Sequence, residues 1–103
     1  MIVAIITYKL AKPLTKDEAR EIFNSTSVKY TGISDLIRKY YLIDEGGMQV
    51  GGVYLWKSRV AAEMTFNDEW RRHILKTYGT TPSIEYFDCP VVVDNLTREV
   101  INK

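Results

Sequence analysis

The sequence predicts an α+β, ferredoxin-like domain: element order β-α-β-β-α-β, one four-stranded antiparallel sheet, both helices on one face. Two observations predict it. Four runs rich in β-branched and aromatic residues alternate with two stretches that carry helix caps and helically spaced apolar residues. Right-handed crossovers turn that order into this sheet. The chain of 103 residues, 46% hydrophobic and 26% charged, is one domain's worth, so residues 1–103 are read as a single domain.

The first strand is Ile2–Leu10, β-branched and too short for a buried helix. Pro13 closes it. Thr15-Lys16-Asp17-Glu18 has the form of a capping box, and its acids suit a helix N-terminus. Ala19, Ile22 and Phe23 continue the helix, which should fade over Ser25–Tyr30 and stop by Gly32. Leu36–Asp44 is the second strand, Glu45-Gly46-Gly47 a hairpin signal, and Met48–Trp56 the third strand. Ser58 caps a helix carrying Val60, Ala61 and Met64. Asn67-Asp68 is a break and a second cap, after which Trp70, Ile74 and Tyr78 share a face until Gly79 and Pro82 end it. Ser83–Val93 is the fourth strand, its later half an edge or bulge because of Pro90. Residues 94–103 are a short helix or a C-terminal arm.

Neither face of this sheet is polar. A half-solvated antiparallel sheet alternates, and this one does not. Four strands ~4.8 Å apart span roughly 20 Å. Two helices, each roughly 10 Å across, cover that width once. One apolar face is left, and the expected cover is a second copy of the sheet in a two-fold homodimer; the alternative is that residues 94–103 fold back over it.

Composition excludes several functions. Lys+Arg number 14 against 13 Asp+Glu, a net charge of +1, so no strong field gathers nucleic acid or an anionic membrane. Cys89 is the only cysteine, which forbids an intrachain disulfide and fits a reducing, cytoplasmic setting. The apolar N-terminus lacks a basic lead and is short for a signal peptide. There is no phosphate-cradling glycine loop, nucleophile elbow, metal-spaced cluster, RNA-binding strand motif, or flavin or nicotinamide fingerprint. No cofactor and no metal are expected.

The candidate chemistry is aromatic. His73, the only histidine, is either a general acid-base group or a solvated helix residue beside Arg71 and Arg72. Tyr54, Trp56, Trp70 and Tyr86, with Tyr40 or Tyr41 according to strand parity, either wall a cavity for a planar ligand or form ordinary core. Gly51-Gly52 marks a close backbone approach or a bulge. One of Arg38 and Lys39 must face a covered side, where it needs an acid such as Glu85 or Asp88, or an anionic ligand, unless it snorkels to a rim.

Gly51-Gly52-Val53-Tyr54-Leu55-Trp56-Lys57-Ser58, before an alanine-bearing helix, resembles the "GG-x-Y-x-[WF]" stretch of dimeric α/β-barrel proteins. The run Trp70…Tyr78-Gly79-x-x-Pro82…Phe87-x-x-Pro90-Val91…Val93-Asp94-Asn95 is similar to the YdhR-like monooxygenase family, and Leu36-Ile37-Arg38-Lys39-Tyr40-Tyr41 fits that family's second strand. The likeness covers about residues 1–95. It implies a dimeric α/β barrel, a homodimer with sheets face to face and a ligand cavity behind each sheet. Related quinone-forming monooxygenases use neither metal nor flavin: an electron-rich phenol or anthrone loses a proton and its carbanion reacts with dioxygen. On that reading His73 is catalytic and Tyr40, Tyr54, Trp56, Trp70 and Tyr86 bind a small aromatic substrate. The alternative is a non-catalytic dimeric ligand-binding or stress-associated module. The haem-degrading branch fits poorly. Thr7 or Tyr8 stands where that branch has asparagine, Thr65 where it has tryptophan and Leu75 where it has the iron-ligating histidine. His73 is two residues out of phase, roughly 200° around the helix.

Overall fold

The computed structural model describes residues 1–103. Its elements are β1 (Ile2–Lys9), α1 (Lys16–Ser27), β2 (Leu36–Ile43), β3 (Gln49–Trp56), α2 (Arg59–Thr65), α3 (Asp68–Tyr78), β4 (Ser83–Asp88), β5 (Val91–Asp94) and β6 (Glu99–Asn102). The main sheet runs β2-β3-β1-β4, antiparallel throughout, which is the ferredoxin-like arrangement.

The helix boundaries are set by side chains. The Thr15 N–H donates to Glu18 Oε1 (2.9 Å) and the Glu18 N–H donates back to Thr15 Oγ1 (3.1 Å), closing the capping box. Ser25, Thr26 and Ser27 each donate a hydroxyl to the carbonyl three residues back, a competition that loosens a helix end, and α1 stops there. Ser58 Oγ accepts from the Ala61 N–H (3.2 Å) and Asn67 Oδ1 from the Trp70 N–H (2.9 Å), so two caps divide the second helical segment into α2 and α3. Gly79, at φ 72°, gives α3 its left-handed C-cap.

A bulge sets which side chains lie under the helices. Leu36 pairs with Trp56, but Arg38 pairs with Leu55, so Ile37 is an extra residue. A one-residue slip exchanges the two faces of a strand. Beyond the bulge, Lys39, Tyr41 and Ile43 therefore face the helices with Leu36, and Arg38, Tyr40 and Leu42 face away.

Ala4, Ile6, Tyr54, Trp56, Ala62 and Phe66 make the centre of the core. The Tyr54 and Trp56 rings are near-parallel at 6.1 Å, and Phe66 meets both edge-on at 4.9 and 5.7 Å. The glycine pair of β3 is required by that packing. A Cβ on Gly51 would lie 1.8 Å from the Ile6 carbonyl oxygen of β1, and one on Gly52 would crowd the Tyr54 ring at 3.1 Å. The close backbone approach is thus to the neighbouring strand.

The fourth strand corrects the expectation of one run from Ser83 to Val93. It breaks at Cys89-Pro90, because proline has no N–H for the ladder. Residues 94–103 are neither a helix nor a plain arm: β5 and β6 form a separate hairpin closed around Asp94, whose Oδ1 accepts from the Leu96 and Thr97 N–H groups. Asp94 lies 3.9 Å from Arg38, so the hairpin crosses from the β4 edge toward β2 at one end of the face opposite the helices. The radius of gyration is 14.4 Å, against ~13 Å for a compact domain this long. The rest of that face stays open, with Tyr40 51% and Phe87 48% exposed. No helix is long and apolar enough to cross a membrane.

Candidate functional site

A cavity of about 300 Å³ lies between α1, α3 and the sheet, at the lower end of the range for small-molecule sites. The sheet supplies its floor: Tyr8 from β1, Lys39 and Tyr41 from β2, and the Gly51 backbone from β3. Phe23, Thr26 and Lys29 form one wall, Tyr30 the corner after α1. Trp70, His73, Ile74 and Tyr78 form the other, because they sit at helical spacing on the inner side of α3.

The aromatic side chains are held in place. Trp70 Nε1–H donates to the Tyr30 hydroxyl (2.9 Å), and the Tyr41 and Thr26 hydroxyls share a hydrogen bond of 2.8 Å. Phe23 stacks on Tyr41 at 4.7 Å, Tyr78 on Tyr8 at 4.9 Å. The Tyr30 hydroxyl, accepting from Trp70, keeps its own proton free to donate. Burial, then the neighbouring tyrosines, pushes Tyr78 up to about 12 and raises Tyr8 and Tyr54 further. Tyr41 is raised by burial against the opposing effect of its bond to Thr26. At neutral pH these groups are phenols, and those of Tyr8 and Tyr78 line the cavity, where they can donate to a ligand oxygen. The Tyr54 hydroxyl and Trp56 Nε1 are buried without a protein partner.

Lys39 is the unusual member. Its Nζ lies 3.5 Å from the centroid of the Tyr30 ring, 3.7 Å from Tyr41 and 4.7 Å from Tyr54. It makes no ion pair; the acid expected beside a covered cation is absent here, and Asp94 instead serves Arg38 on the other face. Ring faces favour the ammonium by about 0.5–2 kcal/mol. Desolvating a charge costs several kcal/mol. Burial therefore dominates and brings Lys39 down to about 7.

His73 stands at the mouth, half-buried. Its Nε2 lies 3.3 Å from Lys29 Nζ, and slight burial, then the charges of Lys29 and Lys76, lower its pKa. Trp70 lines the cavity. Four other residues expected to line it do not. Tyr40 is on the open face because of the bulge at Ile37. Trp56 is wholly buried beneath Phe66 and Trp70's side of the core, and Tyr54, equally buried, lies behind the cavity against Lys39. Tyr86 lies toward α2, with the Arg59 guanidinium 4.3 Å above its ring. The residues that sequence reasoning missed are Tyr8, Tyr30 and Tyr78, with Lys39 and Tyr41 left undecided. Tyr8 shares parity with Ile2, Ala4 and Ile6, and Tyr78 shares a helix face with Trp70 and Ile74, so both were visible in the pattern. No three His, Cys, Asp or Glu side chains converge.

By its fold the chain is a ferredoxin-like α+β protein. It is similar in structure to a monooxygenase of Streptomyces coelicolor, from the gene ActVA-Orf6, solved in complex with the ligand nanaomycin D. The TM-score is 0.65 at 18% identity, covering 85% of this chain and 86% of that one. No family model and no curated protein matches the sequence.

Proposed function

We propose that the protein is a cofactor-independent monooxygenase that oxidises small, electron-rich phenols or anthrones, of the kind the YdhR-like resemblance implies. The observation that carries this reading is the cavity: a chamber walled by Tyr8, Tyr30, Tyr41, Trp70 and Tyr78, in a fold shared with a monooxygenase that holds nanaomycin D. Flat rings pack against such walls, and phenolic donors hold substrate oxygens. The chemistry balances without another reductant. An anthrone loses a proton, its carbanion reduces dioxygen, one oxygen atom becomes the new carbonyl and the other leaves as water. The protein's part is to bind, to accept the proton and to exclude bulk water. His73, at the mouth beside Lys29, exchanges protons with solvent.

The working form proposed is a homodimer through the open sheet face, where Tyr40, Leu42 and Phe87 present apolar surface. Oxygen uptake with hydroxylated anthrones and naphthols tests the activity. Consumption above buffer, slowed in Trp70→Ala, is expected. Ligand-induced thermal stabilisation with no uptake would instead make the protein a binding module.

A further inference from the structure

Oxidation of a phenol or anthrone needs a group that ionises the substrate and a charge that holds the resulting anion. The cavity wall contains one carboxylate, Glu69, against three basic side chains, Lys29, Lys39 and His73. Two of these basic groups are at the rim, where Lys29 Nζ and His73 Nε2 lie 3.3 Å apart. Lys39 is on the floor. From β1 it faces Tyr8, from its own strand Tyr41, from β3 Tyr54, and from the turn after α1 Tyr30; across the chamber α3 presents Glu69, His73 and Tyr78. No acid is paired with it. A covered amine without a counter-ion is poised to gain one from a ligand.

Resting on the proposed function, we infer that Lys39 is the proton acceptor for the substrate's hydroxyl, and that its ammonium then stays as the counter-ion of the bound phenolate. The site therefore selects aromatic ligands carrying an acidic hydroxyl, bound with that oxygen toward β2 and the Tyr30–Tyr41 pair. The step is a single proton transfer. The phenol O–H bond breaks, an N–H bond forms on Nζ, and the electron pair remains on oxygen. Lys39 suits this because a base near the working pH is both free to accept and able to hold the proton. Charge is conserved within the chamber, so an ion pair is created inside and no ion has to cross the apolar wall.

The test uses 1-naphthol, whose ionised form absorbs at longer wavelength, with the full chain at pH 8. An opposite charge within ~4–6 Å favours ionisation by one to three pKa units. Bound to the wild type, the probe should show the naphtholate band, its acid dissociation constant raised about tenfold or more. Lys39→Met should bind naphthol with the un-ionised spectrum. Lys39→Arg keeps the cation but cannot accept a proton. It should retain the naphtholate band and release about one proton per probe, where the wild type releases almost none because Lys39 keeps it. If the Met variant fails to fold, the difference in proton release between wild type and Lys39→Arg decides. An un-ionised spectrum in the wild type, or equal proton release in the two, overturns the assignment to Lys39 while the cavity still binds aromatics. Absence of probe binding to the wild type by equilibrium dialysis overturns the aromatic-ligand reading itself, and this inference with it.

Discussion

Lys39→Met should change how stability depends on pH. In the folded chain the amine loses its proton at about 7, whereas in the unfolded chain it holds the proton to 10.5. Between those values the unfolded state binds more protons, so the free energy of unfolding rises with pH. Each pH unit well inside that interval contributes about 1.4 kcal/mol, and from pH 6 to 9 the wild type should gain about 2–3 kcal/mol from this group. The methionine variant has no proton to lose. Its side chain is of similar length and lies between the same tyrosine rings, so the core is filled in both. The assay is urea unfolding followed by tryptophan fluorescence at half-unit steps from pH 6 to 9. Subtracting one profile from the other removes His73 and all other shared groups. A difference that narrows steadily toward pH 9 is expected, with the variant the more favoured at pH 6. Parallel profiles would refute the argument that burial outweighs the three ring contacts.

The remaining expectations concern packing and assembly. Gly51→Ala places a Cβ against the Ile6 carbonyl and should cost more than about 3 kcal/mol, measured by denaturant midpoint. Trp70→Phe removes the bond to the Tyr30 hydroxyl and should cost about 1 kcal/mol while freeing Tyr30 to move, seen as a lower melting temperature and weaker naphthol binding. Tyr40→Glu, on the open face and remote from the cavity, should shift sedimentation from dimer to monomer without unfolding the chain; an unchanged sedimentation coefficient would count against the sheet-face dimer.

The fold was legible because its signals are local. Thr15 with Glu18, Ser58, Asn67 and Gly79 each satisfy backbone groups within a turn, and those contacts are written in adjacent residues. The site was legible on α3, where helical spacing puts Trp70, Ile74 and Tyr78 together, and much less so on β2. There a single extra residue, Ile37, exchanges the faces of the strand, putting Tyr41 in the chamber and Tyr40 outside it. Nothing in the run Leu36-Ile37-Arg38-Lys39 announces that slip, since it arises from pairing with β3. The same slip decides that Lys39 is covered and Arg38 is not. The ring pairing of Tyr86 with Arg59 and the burial of Trp56 are likewise tertiary facts. The C-terminal hairpin was missed for a different reason: Asn95-Leu96-Thr97-Arg98 reverses the chain through Asp94 side-chain contacts and a left-handed Arg98 at φ 60°, without a glycine to mark the turn.

The central claim is that the chamber between α1, α3 and the sheet receives an electron-rich aromatic ring. Amide and side-chain NMR of the labelled protein with 1-naphthol tests it most directly. The account predicts saturable shifts confined to Tyr30, Lys39, Tyr41, Trp70 and Tyr78, with contacts from the naphthol protons to the Tyr41 and Trp70 rings. Shifts centred on Val53, Leu55 and Phe87 of the open face, or none at all, would contradict it.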